Sequence, residues 1–331
     1  MSPRPARARR TLAALVLVAT TVSGCASVER SVVGIHDAPT EEAEGAPMSR
    51  AEASSTARTA LDAAAAAPRG RTAADGRERR DVLTGPALLA ADAAAAVRAD
   101  GAKVAAPEKV EDPTVLAVSS GARWPRAILA TSRSDRRQKL HVLVSDSPDA
   151  PFRLHSSVTM EPGASVPSLG AFEDGAELVT STDRGDGSPS AVGDRFARAW
   201  RFPAASKGAR GVSTADAFST ARRQNAERIA RKNKGLATYE QTHRSLPGTA
   251  IGFRLADGGV LGITSLERID RFSLNAKARG FVLPSDLRAL LETSVVKEGF
   301  RTRTIETIAF TTRGTPTLVG ASEQLRSASA S

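Results

Sequence analysis

The chain contains four histidines, His36, His141, His155 and His243. Of these, His141 and His155 come nearest to a metal-ligand pair, because they fall on two consecutive expected strands, 139–145 and 152–161, joined by a short turn from Asp146 to Pro151. Apolar residues on both strands take even positions (Leu140, Val142, Val144; Phe152, Leu154, Val158, Met160), which assigns both imidazoles to the opposite, polar face. A register pairing position 141 with position 155 sets them side by side, with the chemistry to hold Zn²⁺ or Cu²⁺. Zinc takes a fuller ligand set than two imidazoles, and no carboxylate is placed by sequence to complete one. The pair is expected to be two exposed histidines on a solvated sheet face, with no metal or other cofactor. His36 is expected to be solvated.

Other chemistries find less support. A serine hydrolase of the nucleophile-elbow type needs Gly-x-Ser-x-Gly, and a phosphate-cradling loop needs Gly-x-x-x-x-Gly-Lys-Ser/Thr; neither pattern occurs in the chain. Glu161, Glu173, Asp174 and Glu177 are close in sequence, and a glycosidase uses a carboxylate pair. They lie in or beside a Gly/Pro-rich stretch, where acids normally serve as solvating groups, and a chain with two Trp and one Tyr is poor in sugar-stacking platforms. The expectation is a non-catalytic protein. The alternative is an enzyme whose acid–base pair is brought together only by the fold.

The only cysteine, Cys25, follows a basic stretch (Arg4, Arg7, Arg9, Arg10) and an apolar run of 11 residues from Leu12 to Val22. These are the parts of an export signal. The run is short for a membrane span, which needs roughly 20 apolar residues. A lone thiol is also an unusual choice for an oxidising compartment. Val22-Ser23-Gly24-Cys25 resembles a bacterial lipobox. That resemblance implies a signal peptide over residues 1–24, cleavage after Gly24, and a diacylglyceryl-modified Cys25 that anchors the chain in the bilayer on the extracytoplasmic face of the cell membrane. Arg9-Arg10 leaves twin-arginine and general secretory export both open.

The formal net charge is +10, with four of the arginines in the signal segment. The remaining excess is scattered, which suits attraction to an anionic membrane or wall and gives no nucleic-acid footprint. The densest run is a helix expected over residues 214–234, carrying Arg222, Arg223, Arg228, Arg231, Lys232 and Lys234. It is read as a solvated face, with Ala217, Phe218, Ala221 and Ile229 buried; contact with lipid headgroups or wall polymer is the other use such a face has. Trp124 and Trp200 are expected in the core.

Residues 25–48 mix charge, proline and small side chains and are expected to form a disordered tether. Beyond them the pattern is α+β, and it occurs twice. Helices over 49–67 (Ser49 and Glu52 forming a capping box) and 86–99 precede strands over 114–119, 127–132, 139–145 and 152–161. Helices over 191–202 and 214–232 precede strands over 236–244, 249–255, 260–275, 295–312 and 317–325, with a short helix over 284–291 and a hairpin turn at Asp257-Gly258-Gly259. The Gly/Pro-rich acidic stretch between them is the strongest linker signal. The expected division is a first domain over 49–165, a linker over 166–188, a second domain over 189–326 and a disordered tail over 327–331.

Helices followed by a long antiparallel sheet, twice over, resembles a tandem of NTF2-like or cystatin-like domains. The layout, with Trp124-Pro125-Arg126, Pro151-Phe152-Arg153-Leu154 and Leu318-Val319-Gly320-Ala321, is similar to that of a family of actinobacterial lipoproteins of unassigned function. The resemblance transfers no catalytic residue. The lipobox, together with an α+β tandem that carries no triad, metal set or phosphate loop, points to an accessory or binding protein that contacts another envelope protein, a wall component or a small ligand.

Overall fold

The computed structural model describes residues 45–105, 110–134, 137–204 and 211–330. Ser49 and Glu52 form the expected capping box: the Ser49 side chain accepts from the Glu52 amide, Glu52 Oε2 accepts from the Ser49 amide at 2.8 Å, and helix α1 (Arg50–Ala65) begins there. Its buried stripe, Ala53, Ala57, Ala60, Leu61 and Ala64, has helical spacing. Helix α2 (Ala73–Val82) starts from a second capping box, Thr72 with Asp75, which the sequence reading passed over. Helix α3 (Gly85–Ala99) follows with Pro86 in its first turn.

Strands β1 (Thr114–Val118), β2 (Arg126–Ser134), β3 (Arg137–Ser145) and β4 (Arg153–Met160) form the expected antiparallel meander. After a short β5 (Leu178–Thr180) come α4 (Pro189–Ala199) and α5 (Ala217–Lys232), the latter capped by Asp216. Strands β6 (Ala237–Ser245), β7 (Ile251–Arg254) and β8 (Val260–Leu274) follow. The expected strand over 295–312 is broken. Val295–Val296 (β10) pairs with Phe281–Val282 (β9) in a separate hairpin around α6 (Ser285–Leu291), and Gly299–Thr311 (β11) pairs with β8 and β12 (Thr317–Ala330).

The long strands do not make two sheets. They form one, in the order β1-β2-β3-β4-β12-β11-β8-β7-β5, with β6 on the second half of β8. Every neighbouring pair is antiparallel. The sheet then curls until its ends meet: Ser119 and Ala176 form a parallel bridge, closed by Ala176 N donating to Val118 O at 2.8 Å and Ser120 N to Ala176 O at 2.9 Å. Closure hides the two edges and gives the sheet an inside. Leu129, Leu140 and Val142 meet Phe253, Ile263 and Val319 there, in one apolar cluster.

The outer surface also needs cover. α1 buries Ile128, Ala130 and Leu143 on one side, while α4 buries Leu266, Ile308 and Phe310 with Phe196 and Trp200 on the other.

The stretch expected as a linker over 166–188 therefore joins no pair of separate sheets. It contributes a 3₁₀ turn, Phe172–Asp174, and β5, whose Leu178 pairs with Phe253. Phe172 and Val179 are buried anchors that the surrounding glycines and prolines obscured. Residues Ala43–Ser331 group as one compact unit. The expected tail also belongs to the sheet, since β12 continues to Ala330, opposite Phe300. Small Ser and Ala residues there take their order from the β11 ladder, which local composition does not reveal. No helix among the described residues is long and apolar enough to cross a membrane.

The halves join at β4 and β12 through two residue pairs, Met160 with Gly320 and Thr159 with Ala321, extended by Glu161 N donating to Val319 O at 2.8 Å. A Cβ on Gly320 would stand 2.7 Å from Thr159 O, so the strands approach this closely only with glycine here. Gly320→Ala should cost about 1–3 kcal/mol in urea unfolding, the usual penalty for overpacking. Proteolytic nicking in the exposed loop over 181–187 should leave two fragments that co-elute and melt in one transition; fragments that separate and stay folded would show two independent domains.

Candidate functional site

Helix α3 lies over the joint between β4 and β12 and buries Pro86, Ala93, Ala95 and Val97, while Ala87, Ala90, Ala91 and Ala94 line the space left between it and the strands. These side chains are too short to reach the strands. What remains is a partly open cavity of about 530 Å³, within the range of roughly 300–1,000 Å³ typical of ligand sites. Its floor comes from both halves: Ser157 and Thr159 of β4, Ile305 and Thr307 of β11, and Ser322 and Gln324 of β12. Arg69, Arg98 and Lys139 also line it. The floor hydroxyls are partly engaged, Ser322 Oγ donating to Ser157 O at 3.1 Å and Thr307 Oγ1 lying 2.9 Å from Ser265 Oγ.

Two contacts hold the wall of this cavity in place. Arg79, almost fully buried, donates through Nε to Asp92 of α3 at 2.7 Å and through Nη1 to the carbonyls of Gly70 at 2.6 Å and Pro68 at 3.2 Å, which ties the α1–α2 loop to α3. At the other end, Gly85 has φ +49° and lies so close to His155 that a Cβ would fall 2.6 Å from the ring. Only glycine satisfies both conditions.

His155 thus sits under the start of α3, 8% exposed, and His141 is 1% exposed. The expected solvated face does not exist, because the curled sheet turns its even-numbered residues inward and the helices cover the other side. Nor are the two histidines paired. His141 stands opposite Ser157, and a bulge after Val142 shifts the register before position 155 is reached. Burial lowers both imidazoles to about 4, with Lys139 a smaller influence on His141 in the same direction and Asp146 opposing at His155.

His141 Nε2 lies 2.8 Å from Ser132 Oγ, a contact sequence reasoning missed. Nδ1 of His141 has no hydrogen-bond partner, so no acid orients the ring, and Ser132 is itself buried. Among the described residues no group of three or more His, Cys, Asp or Glu side chains is placed to hold a metal ion.

A second cluster lies beneath α5. Arg222, expected on a solvated face, is buried instead; Ala217 and Ala221, expected inside, are exposed. The Arg222 guanidinium sits 4.5 Å from the centre of the Phe218 ring, and its Nη1 is 2.5 Å from the fully buried Glu306 of β11. Arg268 Nη1 (2.9 Å) and His243 Nε2 (3.3 Å) approach the same carboxylate. Burial alone raises the Glu306 pKa, but Arg222, His243 and Arg268 together hold it at about 2. Asp270 continues the network, accepting from Tyr239 Oη at 2.6 Å, Gln241 Nε2 at 2.8 Å and Arg268 Nε at 2.9 Å. The adjoining cavity, lined by Trp200, Ser219, Arg222 and Gln241, is about 120 Å³, too small for an ordinary ligand.

The four acids of the linker region do not converge. Glu161 accepts from Phe218 N at 3.1 Å at the start of α5, and burial raises its pKa. Glu177 faces Arg254 at 3.3 Å, while Glu173 and Asp174 are exposed. Trp200 is buried as expected, and its Nε1 donates to Ser219 Oγ at 2.9 Å; Trp124 is half-buried beneath Arg126. Cys25, the lipobox residues Val22, Ser23 and Gly24, and His36 lie outside the described residues.

Removing the Glu306 charge leaves Arg222 and Arg268 buried without their main partner, so Glu306→Gln should cost about 3–5 kcal/mol in chemical unfolding. The histidines set a pH dependence. Their folded pKa of about 4 lies below the unfolded 6.5, so the stability they contribute is complete above pH 6.5 and is lost as pH falls towards 4. The full loss is about 3 kcal/mol for each, and His155→Gln should flatten this limb of a pH series of urea midpoints.

No curated protein and no solved structure matches the chain. The family described as Domain of unknown function (DUF8094) matches residues 48–329, which takes in α1 to α6 and β1 to β12 together with the α3 cavity and the Glu306 cluster. The chain belongs to that family.

Proposed function

We propose that the chain is a lipoprotein, anchored through acylated Cys25 on the extracytoplasmic face of the cell membrane, that acts as a non-catalytic binding or accessory protein of the envelope. Its ligand lies in the α3 cavity, and its protein partner is another envelope component or the wall. The observation that carries this reading is the cavity itself: a partly open cleft of ligand size that offers an alanine wall, a hydroxyl floor and basic side chains. Among the described residues Glu323 is the one acid lining it, and it is engaged with Arg222 and Arg268. Residues 26–44 separate Cys25 from the folded unit, which suits a tether. Within that unit, each half keeps the order of helices then antiparallel strands. The likeness to NTF2-like or cystatin-like domains is proposed at that level, as two such layouts fused through β4 and β12.

The alternative, an enzyme with an acid–base pair in an NTF2-like cone, draws on the Glu306–His243 contact. Glu306 held ionised between two arginines has no proton to donate and is a weak base, and the cavity beside it is small. The binding reading accounts for the larger cavity.

Cys25→Ala should move the protein from the membrane fraction to the soluble fraction; retention in membranes after a high-salt wash would contradict the anchor. Native mass spectrometry of the chain purified from its own membranes should show a bound small molecule that is absent from Ala94→Leu, a substitution that fills the cavity.

A further inference from the structure

The floor of the α3 cavity continues across the sheet into a group of arginines. Gln324 of β12 pairs with Ile305 of β11, Ile305 with Glu267 of β8, and Glu267 with Arg244 of β6, so all four side chains stand in one row on one face. Gln324 and Ile305 line the cavity; Glu267 lies about 10 Å further on, two strand spacings from Gln324. A bulge on β12 leaves Arg326 outside the ladder, between the pairs Thr304–Leu325 and Arg303–Ser327, and its guanidinium turns to the same carboxylate.

Glu267 therefore gathers three guanidiniums. Its Oε2 accepts from Arg244 Nε at 2.8 Å and Nη2 at 2.6 Å; its Oε1 accepts from Arg326 Nη1 at 3.1 Å and lies 3.8 Å from Arg303 Nη1. One negative charge faces three positive ones. The Glu267 side chain is 0% exposed, while those of Arg244, Arg303 and Arg326 are 60%, 35% and 44% exposed. An anion arriving from solvent meets the guanidinium edges with most of their N–H groups still available, and meets the carboxylate not at all.

Resting on the cavity reading above, we propose that Arg244, Arg303 and Arg326 bind the phosphate-monoester head of an amphiphile whose acyl tail occupies the α3 cavity. The surplus of two positive charges matches a dianionic head, and guanidinium forks match phosphate oxygens in geometry. The alanine wall suits an unbranched chain. The head and tail sites share one sheet face, so a single molecule spans both.

The test is calorimetric titration of the full chain with palmitoyl lysophosphatidic acid. It is compared with palmitoyl lysophosphatidylcholine, which has the same tail, and with glycerol phosphate, which has the head alone. The phosphate-headed lipid should bind at least about tenfold more tightly than the choline lipid, lose that advantage as salt rises, and exceed glycerol phosphate by more than about a hundredfold. Arg244→Lys with Arg326→Lys, which keeps the charge beside Glu267 and removes the fork, should erase most of the difference between the lipids. Ala94→Leu should weaken both lipids together. Equal affinity for the two lipids, with loss in Ala94→Leu alone, overturns the phosphate site and leaves the cavity reading intact. Glycerol phosphate binding as tightly as the lipid overturns the amphiphile and leaves a free-anion site. Absence of lipid binding in a normally melting chain overturns both readings.

Discussion

Two residue pairs between β4 and β12 decide the architecture. Without them the two halves would meet as a sheet only at the Ser119–Ala176 bridge. With them, Thr159–Met160 and Gly320–Ala321 make the sheet continuous, so that Leu140 and Val142 of the first half pack with Phe253 and Val319 of the second. The approach needs the bare Cα of Gly320. The α3 cavity depends on the same joint, because β12 leaves β4 immediately after it and α3 bridges the gap that opens.

Two buried glutamates on neighbouring strands show how charge is used differently on the two faces of this sheet. Glu306 lies beneath α5 with Arg222, Arg268 and His243, and the nearby Asp270 and Glu323 use the remaining capacity of the two arginines. That cluster sets three carboxylates against two arginines and the His243 ring around a fully buried Glu306, as expected of a device that fixes a helix to a sheet. Glu267 faces the other way and holds three half-exposed arginines against a single charge. It is unbalanced and open. The same residue types thus serve cohesion on one face and supply recognition chemistry on the other, and the difference lies in the charge count and the exposure.

Much of the secondary structure could be read from the chain. The Ser49–Glu52 box, the strands of the meander and the Asp257-Gly258-Gly259 turn carry local signals, and those elements stand within a few residues of their expected bounds. The register of His155 was hidden by a bulge, whose cause is not local. The pairing of β4 with β12 was hidden because the partners are more than a hundred residues apart. Glu306 did leave a trace, a lone acid inside a strand rich in apolar and β-branched residues, and Glu267 a fainter one beside Asp270 in β8, since an unpaired charge is too costly to bury. The arginines that answer them, from α5, β6 and β12, could not be assigned without the fold. The cavity was the least legible feature, since an alanine stripe reads as an ordinary helix face until the strands opposite it are known.

Native-state hydrogen exchange tests the continuity of the sheet most directly. Amides of Leu129 and Val142 in the first half and of Ile263 and Ile308 in the second lie in ladders expected to open only by global unfolding. The account predicts one common opening free energy for all four, equal to that of global unfolding. A lower value confined to either half would show that half opening independently, and would contradict the single interlocked sheet on which both the core and the cavity rest.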